Sequence, residues 1–133
     1  RWAIRTARIR SRISDKPENA VVNVCEYDEK LAEKLNTKAF PNADLEWLDF
    51  VVACRSDITF RHNFDIVSGK IANDNVGETV EYVLAGIMRK EDAAKRLRFE
   101  KINDQICFCS EKSLETITFK RSYIVKSVNW RDF

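Results

Sequence analysis

The chain has 133 residues, 44% of them hydrophobic and 33% charged, with eight Phe, three Tyr and three Trp. That is enough apolar material for one core and too little for two, and it excludes a disordered composition. The net charge is +2, and no run approaches the roughly 18 consecutive apolar residues of a membrane helix. The expectation is a single domain over residues 1–133 in the cytoplasm, with no membrane contact.

The charge is unevenly placed. Five of the 23 basic residues, Arg1, Arg5, Arg8, Arg10 and Arg12, fall in the first twelve positions, which hold no acid, and the other 18 face 21 acids. Helical spacing puts Trp2, Thr6, Ile9 and Ile13 on one face beside an arginine stripe, so the segment from Trp2 to Ile13 is predicted as an amphipathic helix. Such a stripe is more often a solvated face than a nucleic-acid grip, and no nucleic-acid module lies behind it. The helix is already under way at residue 1, without a cap or lead-in, and the expectation is that further chain precedes it.

After a turn at residues 15–19, the β-branched run from Ala20 to Tyr27 predicts a strand, and Asp28 a cap for a short helix through Leu35. The segment Pro41-Asn42-Ala43-Asp44 opens a helix that carries Leu45, Trp47, Leu48, Phe50, Val51, Val52 and Cys54 almost all round and so is expected to be largely buried. A polar loop over residues 55–63 holds the single histidine, His62, before a short strand from Phe64 that ends at Gly69. Asp74 begins a helix with Val76, Val80, Leu84 and Ile87 inward and Gly86 at its end, and a charged helix over residues 90–99 follows with Ala93, Ala94 and Leu97 inward. A strand from Gln105 to Cys109, a brief helix over 110–117 and a strand from Phe119 to Val125 close the order. The fold class is α+β, a small mixed or antiparallel sheet with several helices and no repeat.

Few chemistries find their residues here. Cys25, Cys54, Cys107 and Cys109 have no paired metal-ligand spacing, and they are expected as reduced, mostly buried thiols rather than metal ligands. Cys107 and Cys109 share a strand face, which suits two thiolates or two core positions. A nucleophile pair of His62 with Cys109 or Cys54 has nothing to orient it. Gly69, Gly77 and Gly86 form no phosphate-cradling loop. Glu46 and Asp49, one turn apart at a helix start, are an acid/base pair or simply acids favoured by the helix dipole.

Three ordered strings carry a resemblance: Glu46-Trp47-Leu48-Asp49-Phe50-Val51 followed by Arg55; Asp65-Ile66-Val67 with Gly69; and Asp104-Gln105-Ile106-Cys107-Phe108. Supporting pieces are Val21-Val22-Asn23-Val24 with Tyr27, Ala72-Asn73-Asp74 and Leu97-Arg98-Phe99-Glu100-Lys101. Together, over residues 21–125, they resemble the bacterial family called domain of unknown function 3990, and Trp2-Ala3 resembles the helix before it. That family is similar to ADP-ribosyltransferases, in which a split β-sheet clamps NAD. The resemblance implies NAD as substrate, no metal, a protein or nucleic-acid acceptor, and Gln105 as the late-strand residue facing the nicotinamide ribose. It also implies that the early NAD-binding strands lie before residue 1, so that this stretch alone is expected to be inactive. Cys54 and Cys109 stand where the family pattern has Asn and His. The alternative is a non-enzymatic interaction module, half of a toxin-antitoxin-like pair whose small partner is encoded nearby and covers an open sheet edge.

Overall fold

The computed structural model describes residues 2–13, 20–72, 74–100 and 102–125. The turn expected at 15–19 lies outside them. The architecture is mixed α+β, with five α-helices and two separate sheets among the described residues. In chain order the elements are α1 (Trp2–Ile13), β1 (Val21–Tyr27), α2 (Glu29–Ala32), β2 (Thr37–Ala39), α3 (Leu45–Ser56), β3 (Ile66–Lys70), α4 (Asp74–Leu84), α5 (Lys90–Leu97), β4 (Asp104–Phe108), a 3-10 helix (Lys112–Thr116) and β5 (Ile117–Ile124). They fall into two compact units, residues 29–114 and the two flanking stretches of chain.

In the flanking unit β1 and β5 pair antiparallel from Val21↔Ile124 to Tyr27↔Ile117. Val24 faces Arg121 and Cys25 faces Phe119, so Lys120 is an extra residue in β5. Its ammonium reaches Glu26 Oε2 at 2.7 Å. The ribbon is tied at both ends, the Val125 N–H donating to Ala20 O and the Asp28 N–H to Thr116 O, each at 2.7 Å. Its core is small: Ala20, Val22 and Val125 are buried, with Ile4 and Ala7 of α1 packed against them. The face of α1 that packs is therefore the Ile4/Ala7 face, not the predicted stripe through Ile9, which is exposed. On the other side of the ribbon Val21, Phe119 and Ile124 are exposed.

The unit over residues 29–114 is built on a sheet of order β2-β3-β4. Strand β2 runs parallel to β3, a pairing that needs a crossover, and α3 supplies it. Strand β4 returns antiparallel to β3 after α4 and α5. Phe40, Trp47, Leu48, Val76, Val80, Ala93 and Leu97 form one buried cluster. Asp44 caps α3 as expected, its carboxylate accepting from the Trp47 N–H at 3.0 Å. Gly86, at φ +74°, ends α4: the Ile87 N–H donates to Tyr82 O and the Gly86 N–H to Val83 O, a left-handed glycine termination. The chain thus leaves the helix before Ile87, which is 74% exposed rather than inward.

Three further expectations need correction. The helix predicted from residue 28 to 35 is only the four-residue α2, because Asn36 and the strand pairing of Thr37–Ala39 take over. Helix α3 is not buried all round: Trp47 and Leu48 are, but Leu45 and Cys54 are exposed, since one side only meets α4, α5 and the sheet. The cysteines are free, as expected, but all four are exposed: Cys25 and Cys107 lie on partly uncovered strands, Cys109 just past the end of β4, and Cys54 on the last turn of α3.

Candidate functional site

Gln105 lies on β4, which ends the described sheet, and is paired directly opposite Gly69 of β3. The glycine is there for packing. A Cβ at Gly69 would stand 3.1 Å from Phe40 Cβ, 3.2 Å from Phe40 O and 3.6 Å from the Trp47 ring. Trp47 is held over this point by its indole N–H, which donates to Lys70 O at 3.2 Å. The side-chain amide of Gln105 is exposed and has no hydrogen-bond partner among the described residues. It is a polar group presented beside a glycine over which Phe40 and Trp47 pack.

The neighbouring pair in the ladder is Lys70 with Asp104, whose side chains form an ion pair at 2.8 Å. Lys70 also lines a cavity of about 590 Å³ beside the N-terminus of α3 and the helix α5. That volume lies in the range of small-molecule sites. Lys95 and Arg98 add positive charge to the lining, and Asp44, Glu91 and Glu100 oppose it. Gln105 itself does not line the cavity. None of these basic residues was singled out as a site residue in the sequence: Lys95 and Arg98 sit in a charged helical run, and Lys70 ends an apolar strand.

Three cysteines converge at the other end of β4. Cys107 Sγ and Cys109 Sγ lie 3.7 Å apart. Desolvation and the Cys107 thiol beside it push the Cys109 thiol up to about 11. Cys54, reaching in from α3, is raised by desolvation and then by Cys107. Among the described residues, however, no group of three or more His, Cys, Asp and Glu side chains is arranged to hold a metal ion.

The other candidates are drawn apart. His62 Nδ1 accepts from the Phe64 N–H at 3.2 Å, and its ring sits among Phe50, Phe60 and Phe64. No hydrogen bond joins it to Cys54 or Cys109 among the described residues. Glu46 is paired with Lys38, and Asp49 with Lys90 at 2.8 Å, so the two acids have separate partners. A polar knot that the sequence did not reveal closes the start of β3. Asp65 accepts from the Ser110 hydroxyl at 2.6 Å and the Asn36 N–H at 3.0 Å, while its backbone O accepts from the Cys109 N–H at 2.7 Å. Those bonds hold its carboxyl below the ordinary Asp range, the Ser110 hydroxyl contributing most. Nothing in the residue types alone signals it, because its members lie at 36, 65 and 110.

The family described as "Protein of unknown function (DUF3990)" matches residues 1–119. The chain belongs to this family. The DUF3990 match takes in α1, the whole unit over residues 29–114 and the candidate positions Gln105, Cys107 and Cys109. Neither a curated protein nor a solved structure matches the chain. No helix among the described residues is long and apolar enough to cross a membrane.

Proposed function

We propose that this DUF3990 chain is ADP-ribosyltransferase-like and takes NAD, with Gln105 contacting the nicotinamide ribose. The observation that carries the reading is the unengaged, exposed amide of Gln105 on the terminal strand of its sheet, opposite Gly69. Lys70, one ladder position away, and Lys95 and Arg98 of the same cavity offer cations to a pyrophosphate, beside the acids Asp44, Glu91 and Glu100. Breaking the nicotinamide bond builds positive charge on the ribose, which a carboxylate would stabilise and an amide supports only by hydrogen bonding. Because an amide is a weak stabiliser of that charge, binding rather than turnover is the measurement suited to Gln105. The acceptor would be a protein or nucleic acid.

The test is a calorimetric titration with NAD. Binding to the folded chain that is lost in a folded Gln105→Ala variant supports the reading. A folded chain that takes up no NAD at millimolar concentration sinks it.

The second reading, an interaction module, is favoured by one specific observation: Phe119 is 61% exposed and shares an uncovered face of the β1–β5 ribbon with Val21 and Ile124. It predicts that the product of an adjacent gene co-elutes with the chain, and that Phe119→Glu abolishes the co-elution. A partner indifferent to that substitution would count against it.

A further inference from the structure

Cys107 occupies the same face of β4 as Gln105, two residues on, and Cys109 follows just past the last strand residue, Phe108. Both thiols are exposed, and their sulfurs already lie 3.7 Å apart. Two residues along an extended strand span nearly 7 Å between Cα atoms, about the outer limit for a disulfide. Cys109 is beyond the ladder of β4, however, where its N–H donates to Asp65 O and the next residue, Ser110, to the Asp65 carboxylate. A bridge there asks for a modest local contraction, and a strained bridge is an easily reduced one.

We propose that Cys107 and Cys109 form a reversible dithiol–disulfide couple whose oxidant is a low-molecular-weight disulfide. The Cys107 thiolate attacks one sulfur of the small disulfide, breaking its S–S bond and releasing one small thiolate. The Cys109 sulfur, after giving up its proton to solvent, attacks Cys107 Sγ and releases the second small thiolate. Two protein thiols are oxidised by two electrons, one small disulfide is reduced to two thiols, and the two protons end on those thiols. The Cys109 thiol, pushed up to about 11, is mostly protonated near neutral pH, so the second step should quicken as pH rises. Cys54 stands by in α3 but takes no part in the bond.

Glutathione disulfide is the probe. The reduced, folded chain is incubated with it, alkylated, digested with trypsin and mapped by mass spectrometry. The expected product is the peptide over residues 102–112, which holds both cysteines, lighter by about 2 Da and restored by excess dithiol reductant. Cys109→Ser should abolish the internal bond and leave glutathione on Cys107 instead. Cys54→Ser should leave the yield unchanged. A folded chain that forms no internal bond, or one that links Cys54 to either strand cysteine, overturns the proposal. The wild-type map decides it even if a variant fails to fold.

Discussion

The two sheets of this chain are built from similarly apolar strands yet have different support. The β2-β3-β4 sheet carries three helices and a buried cluster of seven residues that includes Phe40, Trp47, Leu48 and Leu97. The β1–β5 ribbon has the longest single ladder among the described residues but buries only Ala20, Val22 and Val125, with α1 laid over one face. A two-stranded ribbon has little apolar area to remove from water, and hydrogen-bonded pairs add only modestly to stability. The comparison teaches that ladder length is a poor guide to where this chain is stable, and that side-chain burial decides it.

The largest effect should come from the better-packed unit. Leu48 is fully buried, and Leu48→Ala is expected to lower the unfolding free energy by about 2–5 kcal/mol in a denaturant titration. A loss below that range would mean the cluster is looser than it looks. Next comes Gly69→Ala, whose new methyl would press on the Phe40 backbone oxygen at 3.2 Å, an atom that cannot rotate away. The expected cost is about 1–3 kcal/mol, with β3 and β4 amides exchanging faster by hydrogen exchange. A neutral substitution would show that Phe40 and Trp47 yield without strain.

In the ribbon, Val22→Ala removes less area, and a loss of about 1–2 kcal/mol is expected. Hydrogen exchange sharpens the contrast: β1 and β5 amides should open faster than those of β3 in the wild-type chain, and Val22→Ala should widen that difference. Equal protection of the two sheets would break the comparison. The smallest effect concerns acid. The folded-state pKa of Asp65 is lowered, so its contribution is present above the unfolded value near 3.9 and is lost as pH falls through the lower folded one. Between those values stability should fall with pH less steeply in Asp65→Asn than in the wild type, as read by urea titrations at several pH values. Identical slopes would assign the acid dependence to other carboxylates.

Periodicity and punctuation located most elements. Asp44 marked the start of α3 and Gly86 the end of α4 through physics that is local: a carboxylate within reach of an N–H three residues on, and a φ that only glycine adopts freely. Strand β2 was not legible, because Thr37-Lys38-Ala39 has no alternation and is extended only by its pairing with β3. The face of α1 was misplaced because an amphipathic helix offers more than one apolar stripe, and only the position of β1 selects Ile4 and Ala7. For the site, Gln105 was singled out by its motif, and the cysteine pair by its i, i+2 spacing. The cavity with Lys70, Lys95 and Arg98 and the knot of Asn36, Asp65 and Ser110 were not.

By itself, then, the amino-acid order determined the α+β class, the helix boundaries set by caps and breakers, and the family of the chain, since each depends on neighbours within a few residues or on an ordered set of strings. Tertiary structure alone decided the parallel entry of β2, the exposure of all four thiols, the 3.7 Å approach of Cys107 and Cys109, and the placing of Gln105 opposite Gly69. Burial and cross-strand register are properties of pairs of distant segments, and no local pattern encodes which segment will lie opposite.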